Sequence, residues 1–205
     1  MLLDRSFYLR EDVVTIAREL IGKYIVTTID GELSAGMVTE TEAYAGITDR
    51  ASHAFGDRNT ARTEVMYRQG GVAYIYLCYG IHSLFNIVTN CEGIPHAVLI
   101  RAFRPMEGID VMERRMGRKA GSRSFSTGPG NVAKALGIHY SLSGTDLCAF
   151  PTDHKENCIW MEDRGFVPVE DEILIGSRIG VAYAGADALL PYRFSLKPAQ
   201  KKSSV

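Results

Sequence analysis

The spacing of apolar and polar positions changes several times along the chain, and each change marks an expected element. Between Glu11 and Ile21 the residues Val13, Val14, Ala17, Leu20 and Ile21 recur at helical spacing, with Gly22 in a capping position, so an amphipathic helix is predicted. Tyr24 to Ile29 is a β-branched run closed by Asp30-Gly31. That dipeptide signals a tight hairpin returning through Glu32 to Glu42. From Gly46 to Gln69 no period survives, and a long irregular segment with one helical turn is expected; such segments are usually functional or disordered. Gly70-Gly71 then leads into a second hairpin, Val72 to Cys78 and Ile81 to Thr89, with Tyr79-Gly80 at its tip.

Ala97 to Phe103 reads as a buried strand interrupted by Arg101, and Glu107 to Met116 as a helix turning Val111, Met112 and Met116 inward. A short helix is expected after Gly128-Pro129-Gly130, ending at Gly137. Beyond Cys158 the runs IWM, EILIGS, RIGVAY and YRFSL read as short strands, with a turn at Asp163-Arg164-Gly165. Many short strands and few helices predict an α+β fold. Residues 1–196 would form a single domain with a curved, mostly antiparallel sheet flanked by helices and a protruding β-hairpin. Lys197 to Val205 is expected to be a disordered tail.

Composition narrows the function classes. With 205 residues and 46% apolar content, the chain can fill one sizeable core. A net charge of −1 and a pI near 6.5 give no global attraction to nucleic acid, so any such contact must come from a local basic patch. Cys78, Cys91, Cys148 and Cys158 form no CxxC and no zinc-finger spacing with histidine, which predicts reduced, mostly buried thiols and no metal. No apolar run is long enough to span a membrane, and no charged leader precedes an apolar stretch. A soluble, non-secreted protein is expected.

The densest candidate chemistry lies between Val38 and Arg62. If Val38 to Tyr44 is extended, alternation places Val38, Glu40, Glu42 and Tyr44 on one face, and Thr39, Thr41 and Ala43 on the other. A carboxylate beside an aromatic ring is partly desolvated and can be tuned as a base. Two exposed strand carboxylates would be the plainer reading of the same spacing. Arg101, within its apolar strand, needs an acid or ordered water to offset burial, and Glu40 is one such acid. Tyr79 at a hairpin tip is hard to justify by packing.

TETEAY, a histidine nine residues after its tyrosine, YIYLCYGIHSLFN, LIRAFRP and TGPGNVAKALGI follow one another between about Leu20 and Ser195. Together they closely resemble the alkyladenine (3-methyladenine) DNA glycosylase family. The resemblance implies an enzyme that flips alkylated or deaminated purines out of duplex DNA and hydrolyses the N-glycosidic bond without metal or cofactor. It makes Glu42 the base that activates water and Arg101 the residue that orients that water. Tyr44, His53 and Tyr76 become the rings that sandwich the flipped base, and Asn86 the side chain that obstructs the amino group of guanine. Tyr79 becomes the wedge filling the vacated stack, with Ile81 beside it. Arg62 would contact the DNA backbone, with Arg58 and Lys134 as weaker candidates.

The sequence departs from the family at two places that bear on DNA affinity more than on chemistry. The usual T-P-R-N appears as Thr60-Ala61-Arg62-Thr63, and a lysine often found after the GPG run appears as Asn131. The implied partner is double-stranded DNA containing alkylated purines, bound by a monomer with no membrane involvement, in a bacterial cytoplasm beside the nucleoid or in a eukaryotic nucleus. Two other classes fit parts of the pattern. A non-catalytic damaged-DNA binding module would not need Glu42 with Arg101. A hydrolase of some other nucleoside would not need Tyr79 at a projecting tip.

Overall fold

The computed structural model describes residues 1–122, 124–150 and 156–198. In chain order the helices α1 (Arg5–Tyr8) and α2 (Val13–Glu19) precede β1 (Tyr24–Ile29) and β2 (Glu32–Tyr44). The hairpin β3 (Ala73–Cys78) and β4 (His82–Thr89) leads to β5 (His96–Glu107), α3 (Ile109–Met116) and α4 (Pro129–Leu136). Three short strands close the chain: β6 (Cys158–Glu162), β7 (Ile173–Gly176) and β8 (Arg193–Leu196). The strands join in one open sheet of order β3-β4-β5-β2-β1-β6, with β8 added against β2 and β7 against β8. Every pairing is antiparallel, which matches the expected α+β class.

Local chemistry explains most of these elements. Asp30 and Gly31 both adopt left-handed backbone (φ 55° and 76°), as a two-residue hairpin turn requires, and β1 meets β2 in unbroken register from Tyr24–Met37 to Ile29–Glu32. The first amphipathic stretch starts later than Glu11 because the Asp12 carboxylate accepts from the Val14 amide at 2.9 Å and caps the helix there. Pro129 opens α4, and Gly137, at φ 72°, ends it as expected. Strand β5 runs on to Glu107, and Gly108 in left-handed conformation separates it from α3, so that helix begins two residues later than the periodicity suggests.

Other expectations are corrected. The run RIGVAY is not a strand. Arg178 lies in a loop, and residues from Ala182 form a 3₁₀ segment, Ala182–Leu189, because the Arg178 side chain is taken up in buried hydrogen bonds that no exposed strand could offer. Val38 does not share a face with Glu42. Register shifts leave Thr39 of β2 and Arg101 of β5 without opposite numbers, and this bulge turns Val38 into the core. The cysteines are free, but only Cys158 is buried; Cys91 is exposed in a loop, and Cys78 and Cys148 are half-buried at the edges of the packed region. Lys197 is ordered and donates its amide to the Glu172 carbonyl at 2.8 Å, while the expected tail from 199 onward lies outside the described residues.

The sheet is covered differently on its two faces. Helices α2, α3 and α4 pack one face around Ile16, Ile25, Phe85, Ile100, Phe103 and Leu136, which form the main core. Buried threonines tie the layers together: Thr41 donates to the Ala17 carbonyl at 2.7 Å, and Thr27 to that of Leu136 at 2.9 Å. The irregular segment 45–72 covers part of the other face through Ala54, Val65 and Met66, which pack with Tyr74, Val88 and Ala97 of the sheet. It contains two 3₁₀ turns, Gly46–Thr48 and Glu64–Tyr67, where one helical turn was expected. No helix among the described residues is long and apolar enough to cross a membrane.

Strand β2 is the centre of the arrangement. One edge pairs with β5 throughout, whereas the other pairs first with β1 and then, at Glu40 to Glu42, with β8. Gly36 has a steric reason to be glycine, since a Cβ there would lie 2.1 Å from Cδ2 of the buried Phe103. Gly36→Ala is expected to cost about 1–3 kcal/mol of stability, as other core overpacking does. Urea unfolding checks this, and an unchanged midpoint would mean that Phe103 yields freely.

Candidate active site

On the face opposite the helices, a cavity of about 200 Å³ opens between the β3–β4 hairpin, the irregular segment and residues 179–183. Tyr44, His53, Tyr76, Asn86 and Arg101 line it together, and Tyr79 lies at its rim. The sheet supplies four of them: Tyr44 ends β2, Tyr76 lies on β3, where alternation also brings Tyr74 to this face, and β4 and β5 contribute Asn86 and Arg101. His53 comes from the irregular segment. Hence residues far apart in sequence meet at one opening.

Glu42 lies beneath the floor and has no solvent exposure. Its Oε2 accepts from the Tyr44 hydroxyl at 2.8 Å and from Arg101 Nη1 at 3.4 Å, while Oε1 accepts from the Ile179 amide at 2.7 Å. Arg101 Nε is 3.3 Å from Oε1 of Glu42 and 3.6 Å from Glu40, ion pairs in which this buried N–H makes no hydrogen bond among the described residues. Burial holds the Glu42 carboxyl above its usual pKa; Arg101, the Ile179 amide and Tyr44 oppose that shift, and the nearby Glu40 charge adds to it. The Tyr44 hydroxyl is pushed well above its usual value, first by burial and then by the Glu42 charge, so it remains a donor.

Glu40 is not an exposed strand carboxylate. It is shielded, with 17% of its side chain accessible, and pairs with Arg193 Nη1 at 3.0 Å as well as facing Arg101. Arg101 makes the ion pair with Glu40 that one reading of the sequence expects, a second with Glu42, and lines the cavity.

The rings form a connected group. His53 meets Tyr76 edge-on, at 4.6 Å between centroids and 76°, and its Nδ1 is 2.9 Å from the Tyr74 hydroxyl. Burial, then the charges of Arg62 and Arg58, lower the His53 pKa to about 4. Burial also pushes Tyr74 up to about 12 and raises Tyr76 further. The Arg62 guanidinium stacks over Tyr76 at 4.9 Å from the centroid, although the side chain does not line the cavity.

Asn86 is buried, and its Nδ2 donates to the carbonyls of Tyr74 at 3.1 Å and Leu84 at 3.3 Å. The amide is therefore tied to the backbone on one side and borders the cavity on the other. Tyr79 is 92% exposed and Ile81 73% exposed, so the hairpin tip projects from the body of the protein. Arg58 and Lys134 are exposed, the former on the irregular segment and the latter on α4. Asn131 points back into its own loop, donating to the carbonyls of Ser124 and Thr127 at 2.8 Å. His82 packs against Gly130 at the start of α4.

Sequence reasoning missed Arg178, Asp49, Ile179 and Tyr183. Arg178 is buried and forms a two-pronged ion pair with Asp49, one contact of which is 2.8 Å. Tyr183 lines the cavity and donates its hydroxyl to the Ala51 carbonyl at 3.2 Å. The logic that singled out Arg101, an arginine amid apolar residues, applies equally to Arg178; the backbone donor at Ile179 has no side-chain signature. A charge-free His53 is the clearest electrostatic expectation for this site. Its imidazole should stay neutral on acidification until about pH 4, measured by nitrogen-15 NMR of the ring, and a midpoint near 6.5 would refute the burial effect.

Residues 6–200 match the family described as methylpurine-DNA glycosylase. A Chlamydia felis protein is 40% identical over 202 residues, covering 98% of this chain and 99% of the relative. One from Desulfitobacterium hafniense is 37% identical over 209 residues, covering 97% and 96%, and one from Methanocella arvoryzae is 40% identical over 192 residues, covering 94% and 90%. All three are named, provisionally, as 3-methyladenine DNA glycosylases. A match of that extent, over a chain whose quoted motifs converge on one cavity, identifies this protein as a member of the methylpurine-DNA glycosylase family and a DNA glycosylase, a hydrolase of DNA repair.

Proposed function

We propose that this glycosylase removes alkylated or deaminated purines from duplex DNA, taking the nucleotide out of the stack and hydrolysing its N-glycosidic bond. The observation that carries the proposal is a buried carboxylate joined to an arginine at the floor of a ring-lined cavity, beside an exposed tyrosine at a hairpin tip. Water attacks C1′ of the deoxyribose, the C1′–N bond breaks with its electron pair leaving on the base, and Glu42 takes the proton of the water. The products are a free base and an abasic site. Arg101 lines the cavity and ion-pairs with Glu42, which supports a role in orienting the water.

Tyr44, His53 and Tyr76 offer aromatic surface to the extruded base. An N-alkylated purine with positive charge gains cation–π attraction from such rings, and a neutral His53 adds no repulsion. Asn86, fixed by two backbone carbonyls, is a rigid obstacle suited to rejecting the amino group of guanine. Tyr79 fills the gap left by the nucleotide, with Ile81 beside it, as inserted side chains do in other minor-groove binders. Arg62, Arg58 and Lys134 meet phosphates without reading sequence. Residues 1–196 act as one domain, as a monomer, in the compartment that holds the DNA.

Glu42→Gln keeps the shape of the side chain and removes the proton acceptor. Base release from alkylated duplex should fall by about 10²–10⁴-fold while binding to the lesion persists. Activity within a few-fold of wild type would remove Glu42 from the chemistry, and a loss as large in Glu40→Gln would mean that the other acid is the base. Because the Glu42 pKa is raised, activity should be lost on acidification at a pH above the ordinary carboxylate range, as the base takes up its proton.

Tyr79→Ala should leave the thermal midpoint almost unchanged, since the ring is almost wholly exposed, and weaken binding to lesions in duplex DNA. Excision from single-stranded DNA should suffer less. Equal losses on the two substrates would argue against a wedge.

A further inference from the structure

We infer that Arg178 is a positioning residue for the hydrolytic step, fixing the Ile179 amide on Glu42 and the Tyr44 ring at the cavity wall. The inference rests on the proposed function. Arg178 has no accessible side-chain surface, and its guanidinium binds three separate stretches of chain. Nη1 donates to the Ala43 carbonyl at 2.9 Å, and Nη2 to Asp49 Oδ1 at 2.8 Å and to the Asp187 carbonyl at 3.1 Å. These contacts bind the end of β2, the irregular segment and the 3₁₀ segment Ala182–Leu189 to one another.

Asp49 is itself fixed, accepting from the amides of Ala45 at 3.0 Å and Ala51 at 2.9 Å. On the other side, Arg193 donates to the Ser177 carbonyl at 2.8 Å and to Glu40 at 3.0 Å. Ser177 and Arg178, the two residues that lead into Ile179, are thus both held, the first by Arg193 and the second through its own guanidinium. A buried ion pair could stiffen a protein anywhere in its core. This one immediately precedes the amide that donates to Oε1 of Glu42 at 2.7 Å, so displacing Arg178 displaces a donor from the base.

The same guanidinium lies 4.9 Å from the Tyr44 ring centroid, and Tyr44 gives its hydroxyl to the other oxygen of Glu42 at 2.8 Å. Arg178 therefore acts on both carboxylate oxygens, on one through the backbone and on the other through a ring. Its planar fork makes the four contacts at once, which a lysine cannot reproduce. With fewer donors the carboxylate holds its proton to higher pH.

Arg178→Lys keeps the charge and loses the fork; Ile179→Pro removes the N–H itself and leaves Arg178 in place. The Glu42 carboxyl would be titrated by carbon-13 NMR in labelled protein, which needs no turnover, with thermal unfolding recorded for each variant. Both variants should titrate about one pH unit higher than wild type, the scale of one lost charge-assisted hydrogen bond. On alkylated duplex the acid limb of kcat should move up with it, and kcat should fall more than KM changes. A Glu42 midpoint equal to wild type in either variant that folds overturns the inference, as does a loss of activity that follows the fall in Tm with no change in pH profile. Wild-type protein that excises no base would refute the proposed function, while the NMR titration would still decide whether Arg178 positions Glu42.

Discussion

A carboxylate with no access to solvent constrains everything around it. Water would solvate such a charge far better than hydrocarbon does, so burial is tolerable only where the protein supplies donors and opposite charge. Glu42 receives them from three places: its neighbour Tyr44, Arg101 across the sheet, and the Ile179 amide from a loop near the end of the chain. The bulge that strands Thr39 and Arg101 outside the register, and the change of partner from β1 to β8 along one edge of β2, both occur here. The sheet is least regular where the charge is deepest.

The legible parts of the fold were those fixed by neighbouring residues. Asp30-Gly31 and Gly80 favour turns through their own backbone preferences, and both hairpins lie where expected. The rings of β3 follow from a period of two, and the quoted motifs place Tyr44, His53, Tyr76, Asn86 and Arg101 around one cavity. What could not be read depends on contacts over more than a hundred residues. Arg178 meets Asp49 129 positions away, and a donor made of backbone leaves no mark in the side-chain pattern. RIGVAY has strand-like composition, and tertiary demand for a buried guanidinium overrides it. The face of Val38 was misplaced because alternation assumes an unbroken strand, and one extra residue reverses its side.

The near-neutral charge of the chain is organised locally. Several arginines are paired with acids of the same chain: Arg5 with Asp146 and Arg18 with Glu170 at the surface, Arg164 with Glu162, Arg193 with Glu40, and Arg178 with Asp49 in the interior. Arg58 and Lys134 form no ion pair among the described residues, and Arg62 rests on Tyr76.

The change of partner along β2 also has a consequence for the order of synthesis. Glu42 leaves the ribosome first, Arg101 much later, and Ile179 and the strand β8 later still. The hairpins and helix α2 can form while translation continues, but the acid at their centre lacks part of its environment until the last strand docks. A nascent chain, or one cut short before residue 193, would hold an incompletely compensated charge in a half-built sheet. The environment of Glu42 is in this way completed only after residue 193 has been made.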